Sequence, residues 1–321
     1  MARYFASNTI AGFIRNSVSI VENQTAGNFN STYVDRAIAI PASISGTLIS
    51  APFVTTATGD FWFRLDCRFS GTITNGVTGI ISGWSGTTNT WRFDYNSGNN
   101  RFQIFAWNGT AMVGVTLDAF LHTELATFVF HYDTVNKAFR MYRNGILVGE
   151  VTGLGSGMIT TTTSFRLGTS NVIAYYSQIM AADYDLRASN YSLLTLTGNS
   201  SVNTGQSSGS YTDVNELSRD DTTVVQITTS GNRAGFTKSN FSVPSGKQIG
   251  AFVCNAIARA AGTITNGKIG LRSAGSNYSS ANLGYDAGFN SRQVIFETDP
   301  ATTSSFTATS LNAIEVYVEA S

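Results

Sequence analysis

Apolar and polar residues alternate along most of the first 190 positions, which is typical of half-buried β-strands. In the run Trp91–Tyr95, three aromatic residues fall on one face and two charged residues on the other. An apolar pattern with the helical period of 3.6 almost nowhere persists for three turns. The one helical candidate is Tyr184–Leu194, where a short helix or a turn is expected. The pattern therefore predicts an all-β chain.

Turn signals separate these runs about every 8–12 residues, as in antiparallel sandwiches and jelly rolls. The clearest is Asn144-Gly145, within Phe139–Gly149, because Asn-Gly suits the two positive-φ positions of a type I′ hairpin turn. Asn96–Asn100 is a second turn cluster. Further strand candidates are Arg101–Trp107, Ala126–Tyr132, Ser164–Gly168 and Ala174–Ile179.

Residues 197–210 interrupt this pattern, since Val202 is their one apolar residue. Such a run buries too little surface to offset its ordering entropy, and predicts a flexible linker. We therefore expect domains at 1–196 and 211–321, the first an antiparallel jelly-roll sandwich and the second a smaller β-sandwich. Strand candidates in the second are Thr223–Ile227, Gln248–Ala258, Lys268–Arg272, Gln293–Phe296 and Ala313–Val318.

The amino-acid composition favours some functional classes of protein over others. Charged residues are 12% of the chain and the formal net charge is +0, against about 25% charged residues in a typical soluble protein. No basic block occurs, which argues against nucleic acid as a partner. Near-zero charge favours self-association. A chain this rich in Thr, Ser, Asn and Gly is typical of virion fibres, adhesins and secreted β-proteins.

The first residues and the cysteines bear on where the protein is made. Residues 1–7 lack the apolar core of a signal peptide, and no run reaches the length of a membrane span. We therefore expect synthesis and folding in a cytoplasm. Cys67 and Cys254 lie in strand-like runs of different domains. Two separate buried thiols are expected, with an interchain disulfide as the alternative.

The order of several motifs resembles that of the laminin-G-like and concanavalin-A-like jelly-roll family, over about residues 40–190. The Asn144-Gly145 hairpin is the most specific of them, although the last motif lacks the family's glycine. This resemblance implies a recognition or structural sandwich. The matching runs are Phe61-Trp62-Phe63, Phe128–Asp133, Tyr142–Gly145, Phe165–Gly168 and Tyr175–Ile179.

The segment Phe296–Val316 resembles the C-terminal ending of tailed-phage structural proteins. Phe306 stands where that family often has Trp, and Val316 where Gly is frequent. Pro300 is expected to fix a turn and Phe306 to anchor it. The resemblance implies a component of a phage virion.

Catalytic and metal-binding signatures are weak. Retaining glycosidases need paired carboxylates, yet the Glu-x-Asp-x-x-Glu strand of jelly-roll glucanases is absent, and Asp183 and Asp185 have no third partner. A glycoside hydrolase is therefore disfavoured. Asp133 with Asn136 is a weak candidate for calcium, with a plain turn as the alternative. His131 alternates with core-type residues, so it is expected to face outward.

Aromatic residues remain as candidates for stacking on sugar rings. The alternative for each is packing in the core. Trp84 has the strongest case for exposure because it lies in the polar run Ser82–Gly86, interpreted as a loop. The candidates are Trp84, Trp107, Tyr175 and Tyr176.

Together these features predict a non-enzymatic structural protein of a phage virion, either a capsid decoration or fibre subunit or a tail or collar appendage. Its expected partners are other virion proteins, a surface glycan and copies of itself, with a trimer suggested by the resemblance. The alternative is a carbohydrate-binding lectin that is not part of a virion.

Overall fold

The computed structural model describes residues 3–7, 13–16, 21–24, 37–42, 47–50, 52–53, 60–74, 76–168, 170–215 and 222–321. Within these ranges the strands pair antiparallel throughout, which confirms the expected all-β class. The chain divides into two compact units, Met1–Ser192 and Leu193–Ser321.

The described strands of the first unit form a two-sheet jelly-roll sandwich. Sheet A has the order β13-β12-β11-β6-β15-β4-β3, with β1 also on β15, and sheet B has the order β10-β9-β8-β7-β14-β5-β2. The strands are β1 Arg3–Ser7, β2 Phe13–Asn16, β3 Val21–Gln24, β4 Ala37–Ile40, β5 Thr47–Ser50, β6 Phe61–Phe69, β7 Val77–Ser85, β8 Thr88–Asn96, β9 Arg101–Trp107, β10 Met112–Thr116, β11 Ala126–Asp133, β12 Ala138–Arg143, β13 Ile146–Val151, β14 Ser164–Leu167 and β15 Ala174–Ala182.

Aromatic rings fill the space between the two sheets. Trp91 is 0% exposed and contacts Phe63 and Phe130 at centroid distances of 5.6 and 5.4 Å. Phe93 and Tyr95 are buried on the same side of β8, so the alternation in this strand is confirmed. Each such ring contributes about 1.5–3 kcal/mol through burial, and together they position the outward-facing residues of both sheets.

The Asn-Gly hairpin forms as expected. Asn144 and Gly145 have φ values of 50° and 84° and join β12 to β13. The Asn144 backbone N–H donates to the Thr127 carbonyl at 2.8 Å, and its side-chain oxygen accepts from the Thr127 N–H at 2.9 Å. The turn therefore also holds the start of β11.

The second unit is a smaller sandwich, in which a sheet packs on a two-stranded ribbon, β18–β22. The sheet has the order β16-β17-β23-β19-β20, with β21 on β19. Phe306 is 4% exposed in the core of this unit, and its ring centroid lies 6.3 Å from that of Phe252. The elements are β16 Leu196–Asn199, β17 Arg233–Lys238, β18 Phe252–Ala258, β19 Asn266–Ser273, β20 Ser276–Ser279, β21 Leu283–Gly284, β22 Asn290–Phe296, α1 Ala308–Asn312 and β23 Glu315–Ala320.

Residues 197–210, predicted as a linker, instead belong to the second unit. β16 pairs with β17, Val202 is 2% exposed, and the Ser200 N–H donates to the Gly235 carbonyl at 2.9 Å. Polar side chains here bond to the local backbone, as where Ser210 caps the short 3₁₀ turn Tyr211–Asp213. The low apolar content of residues 197–210 therefore did not make them a flexible linker. The boundary between the two units lies after Ser192.

Two further expectations concern the segments 184–194 and 223–227. Residues 184–194 contain a turn at Arg187–Ala188, one of the two expected alternatives, and no helix; the side chain of Arg64 donates hydrogen bonds to the carbonyls of Leu186 and Ser189. Thr223–Ile227 has a single isolated bridge, between Ser208 and Gln226. Cys67 and Cys254 are free thiols in separate units. Among the described helices, none has the length and apolarity required to cross a membrane.

Candidate ligand-binding face

Two of the four predicted aromatic residues are unsuited to stacking on a ligand. The Tyr176 side chain is 1% exposed in the core, where its hydroxyl donates to the Ile80 carbonyl at 3.2 Å. Tyr175 faces outward but is 9% exposed, packed against Ala39 and lying under the guanidinium of Arg68 at 5.0 Å. Neither ring presents a free face, which corrects the prediction for both.

The other two, Trp84 and Trp107, lie on the same side of sheet B. In β9 the side chains of Phe102, Ile104 and Ala106 are buried, so alternation places Trp107 on the outer face. Trp84 is half-buried and lies in β7, not in a loop. β8 separates their strands, so the two backbones are about 10 Å apart.

Local hydrogen bonds hold the Trp84 indole in place. Its Nε1–H donates to the Ser82 Oγ at 2.8 Å. The Trp84 backbone carbonyl accepts hydrogen bonds from the Thr163 backbone N–H at 2.7 Å and from the Thr163 hydroxyl at 3.2 Å. The guanidinium of Arg166 lies over the ring, 3.6 Å from its centroid. The stacked pair is thus fixed to two neighbouring strands.

The strand register extends this arrangement into a row across the sheet. Arg166 on β14 lies opposite Ser82, Ser82 lies opposite Arg92 on β8, and Arg92 lies opposite Phe105 on β9. Arg92 covers the Phe105 ring at 4.5 Å. We call this surface the arginine–aromatic face; it comprises Ser82, Trp84, Arg92, Phe105, Trp107 and Arg166.

A glycine makes room for one of these rings. Gly114 on β10 lies opposite Phe105 on β9. A Cβ at Gly114 would lie 2.3 Å from Phe105 Cδ1. The phenyl ring therefore rests over the Gly114 backbone, with Arg92 on it. Only glycine permits so close an approach at this position.

A β-bulge next to Trp84 leaves polar atoms without partners. The register between β7 and β8 shifts after Gly83, so Trp84 lies opposite Asn89 and Thr90 is the extra residue. In the described part of the chain, the Asn89 Oδ1 and the Thr90 hydroxyl are buried and have no hydrogen-bond partner. Unsatisfied groups of this kind are uncommon in folded proteins.

The two arginines of this face, Arg92 and Arg166, differ in whether a carboxylate of the described residues pairs with them. Arg92 Nε lies 2.8 Å from the Asp94 carboxylate. Burial raises the pKa of Asp94 to about 6, although the nearby Arg92 opposes the shift. Burial lowers the pKa of Arg166, but a guanidinium remains charged at neutral pH. Arg166 has no carboxylate within ion-pair distance among the described residues.

Sheet A carries a different cluster on its outer face. The His131 imidazole stacks on Trp62 with a centroid distance of 3.9 Å and an interplanar angle of 9°. Its Nε2 lies 3.1 Å from an Asp60 oxygen, and its Nδ1 lies 3.5 Å from the Arg140 guanidinium. Burial lowers the pKa of His131, with Asp60 opposing. His131 faces outward as predicted, yet it is 7% exposed.

Asp60, His131 and Asp133 offer ligand atoms within 4.8 Å of one another. However, both Asp133 oxygens already accept hydrogen bonds, from the Asn136 backbone and side chain and from Arg140. Burial alone would raise the pKa of Asp133, but these donors lower it to about 2. Asp133 and Asn136 thus form a turn held by its own side chains, and a cation would have to displace Arg140.

Sequence reasoning found Trp84 and Trp107 but missed Arg92, Phe105 and Arg166. Alternation already directs Arg166 away from the core, since Phe165 and Leu167 flank it. Its position over Trp84 follows from the pairing of β14 with β7, about 80 residues earlier, and no local pattern encodes that pairing.

Comparisons with known proteins give a limited context. No family model matches the chain, and no curated protein matches it by sequence. Similar solved structures include an alginate lyase, A1-II′ of polysaccharide lyase family 7, with 13% identity, 48% of this chain and 83% of that chain covered, and a TM-score of 0.36. A carbohydrate-binding module, CBM66 from Bacillus subtilis, has 8% identity over 53% of this chain and 94% of its own, with a TM-score of 0.35. A sialidase matches over 47% of this chain and 15% of its own, at 9% identity and a TM-score of 0.34.

Proposed function

We propose that this chain is a non-enzymatic binding protein whose arginine–aromatic face binds a carbohydrate. The observation that carries the proposal is that Trp107 lies on the same side of sheet B as two guanidinium groups, that of Arg166 over Trp84 and that of Arg92 over Phe105. The C–H groups of a pyranose face pack on aromatic rings, while guanidinium and amide groups hydrogen-bond its hydroxyls. Both kinds of group lie on one sheet face.

The charge content of the face supports binding over catalysis. Asp94 is the one carboxylate within the described strands of sheet B, and it is paired with Arg92. Hydrolysis by a retaining mechanism requires two carboxylates about 5–5.5 Å apart. A single paired carboxylate does not supply an acid and a nucleophile.

A glycan array probed with the full chain tests the proposal. We expect binding that weakens at least tenfold in Trp84→Ala and in Trp107→Ala. Tyr142→Ala is the matched control, because Tyr142 is a half-buried aromatic residue on sheet A. No binding to any glycan, or equal loss in the control, would contradict the proposal.

We further propose that this face is carried by a structural protein of a phage particle. The support is the resemblance of Phe296–Val316 to the endings of tailed-phage proteins. Mass spectrometry of purified particles should then detect the chain, at hundreds of copies for a capsid decoration or about a dozen for a tail or collar part. Glycan binding by a chain that is absent from particles would favour the free lectin.

A further inference from the structure

Arg166 is a half-buried arginine with no carboxylate partner among the residues that the structure describes. Arg166 lies on β14, a central strand between β5 and β7. Its Nε is buried and has no hydrogen-bond partner in the described part of the chain. A central strand offers such a side chain no backbone carbonyl, because the sheet ladder occupies those groups.

Six other described arginines of the unit differ in this respect. Each of the six has a carboxylate within 3.5 Å, including those that also stack on aromatic rings. The pairs are Arg64–Asp66, Arg92–Asp94, Arg101–Asp118, Arg140–Asp133, Arg143–Glu124 and Arg187–Asp185. Arg166 has Trp84 but no counter-charge among the described residues.

An unpaired charge that is partly withdrawn from water costs free energy, unless a partner from outside balances it. The guanidinium presents its N–H groups in a planar fork, which matches the two oxygens of a carboxylate or sulfate. Stacking on Trp84 restricts the plane of that fork, so little orientational freedom remains to be lost on binding. Trp107, on the same side of the sheet, supplies the apolar surface for a sugar ring.

We infer that the ligand is an anionic saccharide whose carboxylate or sulfate group pairs with Arg166 while its ring packs on the arginine–aromatic face. This inference rests on the proposed carbohydrate binding and adds the charge class of the ligand. Arg92 is a weaker candidate for the same role because Asp94 already neutralises it.

An array of matched probes tests the inference with the full chain. The pairs are oligogalacturonate and its methyl ester, sialyllactose and lactose, and a carrageenan oligosaccharide and its desulfated form. We expect the charged member of at least one pair to bind at least tenfold tighter than its neutral form, with a preference that weakens at high salt. The responding pairs distinguish carboxylate from sulfate.

Variants assign the preference to one side chain. Arg166→Gln should abolish the preference for the charged probe, and Arg166→Lys should retain part of it, since lysine keeps the charge but not the fork. Arg143→Gln is the matched control: Arg143 also stacks on an aromatic ring, Phe120 at 4.5 Å, but is paired with Glu124. That control should keep the full preference.

The outcomes separate this inference from the proposed function. Equal binding of charged and neutral probes, or an unchanged preference in Arg166→Gln, overturns the inference and leaves carbohydrate binding standing if Trp84→Ala still weakens it. Binding confined to neutral glycans also overturns the inference. No binding to any probe overturns the proposed function itself.

Discussion

Asp94 lies 2.8 Å from the guanidinium of Arg92, two residues away on the same face of β8, and yet its pKa is raised to about 6 because burial outweighs the nearby positive charge. Its side chain is nearly inaccessible to water, and the Oδ1 has no hydrogen-bond partner in the described part of the chain. A buried ion pair of this kind orients Arg92 over Phe105 at a cost in stability.

The Asp94→Asn variant should therefore change the pH dependence of unfolding. The folded pKa is raised, so the folded state binds more protons than the unfolded state between pH 3.8 and about 6. Stability from this group is fully present below pH 3.8 and is lost as the pH rises through 6. Relative to the natural chain, Asp94→Asn should gain stability from pH 4 to 7.

Thermal unfolding followed by tryptophan fluorescence measures this, because all four tryptophans lie in the first unit. Parallel stability curves for the two proteins between pH 4 and 7 would contradict the assigned pKa.

Gly168→Ala should destabilise the first unit by about 3 kcal/mol. A Cβ at this position would lie 1.7 Å from the Gly79 carbonyl oxygen, a backbone atom that cannot rotate away. Gly71→Ala is the matched control, since its Cβ would meet only Val172 at 3.6 Å. Urea unfolding monitored by fluorescence should show a lower midpoint for Gly168→Ala alone, and equal midpoints for the two variants would count against the close approach.

Lys238→Met should stabilise the second unit. Lys238 is 8% exposed, its Nζ has no hydrogen-bond partner among the described residues, and burial lowers its pKa. The Lys238 ammonium group loses its proton more readily in the folded state than in the unfolded state. The natural chain therefore gains stability as the pH rises from the lowered pKa toward 10.5. The advantage of methionine should therefore be largest near pH 7, at about 1–3 kcal/mol.

Calorimetry can follow this transition, as the second unit contains no tryptophan to report it. Lys268→Met is the control and should lower stability, because the Lys268 Nζ is paired with Glu319 at 2.8 Å. A loss of stability in Lys238→Met similar to that of the control would indicate a partner for Lys238.

Both thiols should resist modification in the native protein. Cys67 is buried in the first unit, and burial raises the pKa of Cys254 in the second to about 12. A thiolate is the reactive form of cysteine. Ellman's reagent should therefore react slowly with the native protein at pH 8, whereas both cysteines should react with it once the protein is unfolded in urea. A crosslinked dimer on a non-reducing gel would instead favour the interchain disulfide.

Local sequence pattern was enough to predict much of the secondary structure. The residues of β8 and β9 and the Asn144-Gly145 turn follow from alternation and turn chemistry, which act over a few neighbouring residues. The same reasoning failed for residues 197–210, because their polar side chains order the backbone through hydrogen bonds that composition does not reveal.

The sequence by itself determined that the chain is all-β, where the Asn144-Gly145 hairpin turns, and which side of β8 and β9 faces the core. Only the tertiary structure decided which outward-facing residues become neighbours. Alternation directs Arg166 outward, whereas Trp84 was interpreted as part of a loop, and only the pairing of β7 with β14 stacks one on the other. Tyr175 faces outward too, yet packing covers it. Strand pairing joins residues that are far apart in the sequence, and it depends on the burial of the whole core. The residues of a site on a sheet face therefore become neighbours only when the sheet forms.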